Sequence, residues 1–96
     1  MVNNKGGQCR IENNVISNNA ENGIHLTGYK SSAVIITNEI YDHGKCGIYV
    51  SDSAEPHIEN NELARNNGAN IEIDESCKEN AVVFGNLEDC TDLNIL

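Results

Sequence analysis

A short pattern returns along this chain about every two dozen residues, and that period limits the possible folds more than any other feature. The strand-like unit Gly23-Ile24-His25-Leu26-Thr27 recurs as Gly47-Ile48-Tyr49-Val50-Ser51 and as Asn70-Ile71-Glu72-Ile73-Asp74, with isoleucines 24 and 23 residues apart. A second unit, Ile11-Glu12-Asn13-Asn14-Val15-Ile16, recurs as Ile35-Ile36-Thr37-Asn38-Glu39-Ile40 and as Ile58-Glu59-Asn60-Asn61-Glu62-Leu63. A degraded copy follows at Val83-Phe84-Gly85-Asn86-Leu87, and the spacings among Asn14, Asn38, Asn61 and Asn86 are 24, 23 and 25. Two independent units share one period.

Inside each repeat the apolar residues alternate every second position, as in Ile24/Leu26, Ile48/Val50 and Ile71/Ile73. That is strand periodicity; helical repeats would show a spacing near 3.6. The leucine-rich pattern L-x-x-L-x-L-x-x-N is absent. Short strands separated by Asn- and Gly-rich corners predict an all-β chain coiled as a right-handed parallel β-helix. This single-stranded solenoid has about four coils of 23–25 residues, each strand stacking on its equivalent about 4.8 Å away. The coils are expected over residues 9–90, with a lead-in at 1–8 and a tail at 91–96.

Stacking turns the repeat into columns. Ile24, Ile48 and Ile71 are expected inside, with Leu26, Val50 and Ile73; so are Ile11, Ile35, Ile58 and Val83, and Ile16, Ile40 and Leu63. Gly23, Gly47 and Asn70 precede the first strand of each coil and are expected to supply positive φ at a shared corner. The pairs Asn13-Asn14, Asn18-Asn19, Asn60-Asn61 and Asn66-Asn67 suit tight turns. Asn14, Asn38, Asn61 and Asn86 predict an asparagine ladder, with stacked carboxamides bonding along the axis.

With one Phe, three Tyr and no Trp in 96 residues, the core must be aliphatic. The net charge of −9 is uneven. Residues 1–48 balance Glu12, Glu21, Glu39 and Asp42 against Lys5, Arg10, Lys30 and Lys45, whereas the second half sets only Arg65 and Lys78 against all the remaining acids. No basic footprint for a nucleic-acid backbone exists, and no apolar run approaches the ~20 residues of a membrane span. No secretory h-region follows Met1, and Cys9, Cys46, Cys77 and Cys90 form no CxxC. An intracellular chain, cytoplasmic or nuclear, with reduced thiols is the expectation.

The outward columns His25/Tyr49/Glu72 and Thr27/Ser51/Asp74 carry the candidate contact residues. A histidine, a tyrosine and a carboxylate in one column raise acid–base chemistry, but the basic residues that would bind a uronate are lacking. Glu72, Asp74 and Glu75 raise weak calcium binding, but a solvated acidic face is the better explanation of them. His25, His43 and His57 fall at different places in the repeat, so they make no common metal site. No two cysteines share a column in adjacent coils, and Gly6-Gly7 is too short for a phosphate loop. No cofactor, metal or catalytic residue is expected.

The pattern Asn-Glu-Ile, polar corner, Gly-Ile-x-Val, Ser and then Pro-x-Ile-x-x-Asn is clearest from Asn38 to Leu63. It resembles the parallel β-helix repeat family, the pectin-lyase-like solenoids, over roughly residues 9–87. Ser53-Ala54-Glu55-Pro56-His57-Ile58 looks most like the β-helical substrate-recognition region of F-box-only subunits of cullin-based ubiquitin ligases. Similar coils occur in a Shc-binding spindle protein, bacterial copper-maturation β-helix proteins, polysaccharide lyases and alginate epimerases. The resemblance implies a non-catalytic protein-interaction or scaffold module, with a degradation substrate as partner; the alternative is carbohydrate binding or lyase/epimerase-like activity. The contact face is expected at His25, Thr27, Tyr49, Ser51, Glu72 and Asp74, and the acidic half favours a partner with a basic segment. Solenoid ends expose strand edges, which points to a fragment of a longer solenoid or to end-to-end self-association.

Overall fold

A computed structural model describes residues 2–5 and 7–88. The first tier comprises β1 (Val2–Lys5), β2 (Gln8–Glu12) and β3 (Val15–Ser17). The second comprises β4 (Ile24–Thr27), β5 (Ser32–Ile36) and β6 (Glu39–Tyr41), and the third β7 (Ile48–Ser51), β8 (Glu55–Glu59) and β9 (Glu62–Ala64). In the fourth tier β10 (Ile71–Ile73) leads through a 3-10 turn, Glu75–Asn80, to β11 (Val82–Phe84) and β12 (Leu87–Glu88).

Equivalent strands pair in parallel and build three sheets, ordered β1-β4-β7-β10, β2-β5-β8-β11 and β3-β6-β9-β12. The register is the one the repeat dictates: Ile24 faces Ile48, Ile48 faces Ile71, Ile35 faces Ile58, and Ile40 faces Leu63. Four tiers are joined by three steps, so the chain completes about three turns, not the four expected.

The predicted columns form the core. Leu26, Ile35, Ile40, Ile48, Val50 and Ile58 are fully buried. Burying such a side chain contributes ~1.5–3 kcal/mol. Each middle-tier residue is covered on both sides, whereas Val83 keeps 40% of its surface exposed.

Two corners turn on single left-handed residues. Asn13 (φ 60), Thr37 (φ 56), Asn60 (φ 57) and Gly85 (φ 71) form one column between the second and third sheets; Asn18 (φ 60), Asp42 (φ 63) and Arg65 (φ 55) form the other, after the third sheet. Gly23 and Gly47, expected at positive φ, are not among the left-handed residues, and neither is Asn70. Their reason is space. A Cβ on Gly23 would lie 2.6 Å from His43 Nε2 and 2.7 Å from the Gly47 carbonyl oxygen, and one on Gly47 would lie 2.6 Å from the Asn70 carbonyl oxygen.

The asparagine ladder is present. Asn61 Oδ1 accepts from the Asn38 backbone N–H and from Asn38 Nδ2, both at 2.9 Å, and Asn38 Nδ2 also donates to the Ile11 carbonyl at 2.9 Å. The same bonds link Asn14 to Asn38 and Asn61 to Asn86. A second ladder follows Asn19, His43 and Asn66. The Asn19 N–H donates to His43 Nδ1 at 3.2 Å, the His43 N–H donates to Asn66 Oδ1 at 3.1 Å, and His43 Nε2 donates to the Ile16 carbonyl at 2.9 Å. His43 is 2% exposed and holds the place of an asparagine.

The 3-10 turn was not anticipated. It is capped by Asp74, whose side chain accepts from the Ser76 N–H, and it buries Cys77 against the core. Cys9 pairs with Ala33 in the next tier. Cys9, Cys46 and Cys77 are free thiols, while Cys90 lies outside the described residues.

Candidate functional site

The first sheet positions the expected contact face. Ile24/Leu26 and Ile48/Val50 point inward, so the residues between them, His25 and Tyr49, project outward. Parallel register sets His25 opposite Tyr49 and Tyr49 opposite Glu72. The His25 and Tyr49 rings stack with centroids 5.1 Å apart and 28° between planes. Both are half-buried, while Glu72 is exposed.

Beside this column lies an open groove of about 380 Å³, walled also by Glu21, Asn22, Lys45 and Cys46. The corner residues before β4 and β7 form that wall. Cys46 N–H donates to Asn22 Oδ1 at 2.9 Å, and Lys45 Nζ bridges to Glu21 Oε1 at 3.2 Å. Cys46 Sγ lies 3.5 Å from Glu72 Oε1. Burial raises the Cys46 thiol pKa, and its hydrogen bond to Glu72 raises it further, so this sulfur stays protonated. The sequence reading missed Glu21, Lys45 and Cys46. The 24-residue spacing of Glu21 and Lys45 was the available signal.

The other three expected contact residues are placed differently. Thr27 and Ser51 are 9% and 8% exposed, not solvent-facing. Strand alternation sets their side, but the corner closes over them: the Ser51 hydroxyl donates to Thr27 Oγ1 at 3.1 Å, and Thr27 Oγ1 donates to Asp52 Oδ2 at 2.7 Å. The Asp74 backbone stays in the ladder, its N–H donating to the Val50 carbonyl at 2.8 Å, but its carboxylate turns to cap the 3-10 turn through the Ser76 hydroxyl and backbone N–H. Those bonds to Ser76 hold its pKa below the ordinary carboxylate value. The structure thus gathers His25, Tyr49 and Glu72 and leaves Thr27, Ser51 and Asp74 outside the groove.

Among the described residues no three His, Cys, Asp or Glu side chains are grouped to hold a metal ion. No helix there is long and apolar enough to cross a membrane. His57 is separate, on the second sheet, where Nε2 meets Glu59 Oε1 at 2.9 Å.

No curated protein and no solved structure matches the chain significantly. The profile of one family, the right handed beta helix region, matches residues 1–90. That match covers nearly the whole chain and describes the three parallel sheets seen here: the chain belongs to the right handed beta helix family.

Proposed function

We propose that this solenoid is a non-catalytic protein-interaction module whose contact face is the outer surface of the first sheet, at His25, Tyr49 and Glu72. The observation carrying this reading is the in-register stack of those three side chains beside an open groove. Each is flanked by inward aliphatic residues, so the backbone beneath is already ordered and little entropy is lost on contact. Glu72 and the exposed acids of the fourth tier favour a partner with a basic segment.

Acid–base or nucleophilic chemistry has little support in the groove, since the Cys46 thiol is held protonated and Lys45 is paired with Glu21. Carbohydrate binding has less support than protein contact, because one face of Tyr49 is covered by His25 and is not a free platform. The finer reading, by resemblance, is recognition of a degradation substrate within a cullin-based ubiquitin ligase.

The double variant Tyr49→Ala/Glu72→Lys tests the face in a pull-down with quantitative mass spectrometry, beside a glycan array. Loss of a specific protein partner with unchanged circular dichroism supports the proposal. Retained capture, or a glycan bound at Tyr49, overturns it.

A further inference from the structure

Two corners of the solenoid carry the dipeptide Asn-Gly: Asn22-Gly23 ahead of the second tier and Asn67-Gly68 ahead of the fourth. In this dipeptide the glycine amide nitrogen can attack the asparagine carboxamide carbon, because no Cβ on the following residue obstructs it. The N–Cγ bond forms, the Cγ–Nδ2 bond breaks, and the carboxamide nitrogen leaves as ammonia with the amide proton. Water then opens the cyclic imide at either carbonyl, which gives aspartate or isoaspartate. Water is the only co-reactant.

The fold treats the two sites differently. Asn22 is 8% exposed, and its Oδ1 accepts the Cys46 N–H at 2.9 Å. Gly23 is crowded: a Cβ there would lie 2.6 Å from His43 Nε2 and 2.7 Å from the Gly47 carbonyl oxygen, so a ring closing on this glycine has little free space. Asn67 and Gly68 are both exposed, and no hydrogen bond holds the Asn67 carboxamide among the described residues. A Cβ on Gly68 would meet nothing closer than the Lys45 carbonyl carbon at 3.2 Å.

At this second site only the main chain resists. The Asn67 N–H donates to the His43 carbonyl at 2.9 Å and the Gly68 N–H to the Lys45 carbonyl at 2.8 Å. Attack on Asn67 requires release of the Gly68 bond alone. Attack on Asn22 requires release of the Gly23 N–H from the Cys46 carbonyl, and the carboxamide bond and the burial have to be undone as well.

We infer that Asn67 is a site of spontaneous covalent modification in the folded protein, converting to isoaspartate and aspartate while Asn22 is preserved. Asn67 lines an open cavity of about 500 Å³ together with Asp42 and Arg65, whose ion pair is 2.8 Å long. The reaction adds a second carboxylate to a cavity that holds one guanidinium. Isoaspartate also lengthens the main chain by a methylene between Gly68 and Asn66, whose Oδ1 holds the His43 N–H. The bonds from this corner to His43 and Lys45 then lose their register, and the entry to the fourth tier loosens.

The test incubates the full chain at mildly alkaline pH, folded and in concentrated urea. Its peptides are mapped over time by mass spectrometry, with fragmentation that separates aspartate from isoaspartate. In urea the two Asn-Gly sites should react at similar rates. In the folded chain Asn67 should react about tenfold faster than Asn22 or more, because Asn22 alone has a carboxamide bond and burial to lose. Gly68→Ala should slow the reaction at Asn67 about tenfold, in urea as well as in the folded chain. Asn67→Asp, which adds the charge without the methylene, should melt above the isoaspartate-containing chain. Equal folded-state rates at the two sites, faster reaction at Asn22, or conversion of another asparagine before Asn67 overturns the inference. So does a Gly68→Ala chain that reacts at Asn67 as fast as the parent.

Discussion

Asn61 Oδ1 receives two hydrogen bonds from Asn38, one from its backbone N–H and one from its side-chain Nδ2, each at 2.9 Å. One oxygen thus ties the backbone and the side chain of the tier before it. Both residues are almost wholly buried, so water replaces neither bond.

Asn38→Ala and Asn61→Ala should each cost about 1–3 kcal/mol, because each strands buried donors and a carbonyl of the preceding tier. Asn14 is exposed, and Asn14→Ala should cost clearly less. Urea denaturation of the three variants measures the difference. Equal losses would mean that the ladder carries no stability of its own.

Among core positions, Ile48→Ala and Ile58→Ala should each lose about 2–5 kcal/mol. Val83→Ala, in the same column as Ile58 but at the last tier, should lose less than half as much, since its side chain is already 40% exposed. Thermal or chemical melts read the gradient along the stack.

Thr37 occupies the left-handed corner at φ 56, where its column neighbours are Asn13, Asn60 and Gly85. A β-branched residue is strained there, and asparagine is not. Thr37→Asn should stabilise the fold by about 1 kcal/mol. A melting temperature equal to or below that of the parent chain would show that the corner holds Thr37 without strain.

His43 makes stability depend on pH. Burial lowers its pKa from the ordinary 6.5, outweighing its hydrogen bond to the Ile16 carbonyl and the nearby Asp42 carboxylate, itself paired with Arg65. Protonation also places a hydrogen on Nδ1, which now accepts from the Asn19 N–H. The unfolded chain therefore binds this proton more readily than the folded one. Its contribution is complete above about pH 6.5 and declines as the pH falls below that value, by at most about 1.4 kcal/mol per pH unit. His43→Asn, which matches Asn19 and Asn66, should flatten the decline between pH 7.5 and 5 in denaturation midpoints. An unchanged slope would place the titration elsewhere.

The columns and the asparagine ladder were legible because they depend on period alone, and a period survives in a single sequence. What stayed hidden depends on neighbours one tier away. The alternation of Leu26 and Thr27 sets the side of the sheet but not the corner that closes over Thr27 and Ser51. Gly23 and Gly47 looked like turn glycines, but they are small because His43 and the next tier's carbonyl oxygens press against them. The 3-10 turn is too short for helical periodicity; its trace was the longer 25-residue step from Asn61 to Asn86. His43 could have been recognised as an asparagine surrogate, since it stands 24 residues after Asn19 and 23 before Asn66.

The donor in each carboxamide ladder bond belongs to one tier and the acceptor to the next, so every internal tier presents the same donors to the tier after it and the same acceptors to the tier before it. A tier is therefore a cassette. Residues 38–60, one 23-residue step of the ladder, could be copied in tandem, and each copy would meet on both sides the surface it already meets. The length of such a protein is then free to change by duplication of one stretch of coding DNA, without a new core having to be invented. Its lateral faces are free to diverge coil by coil.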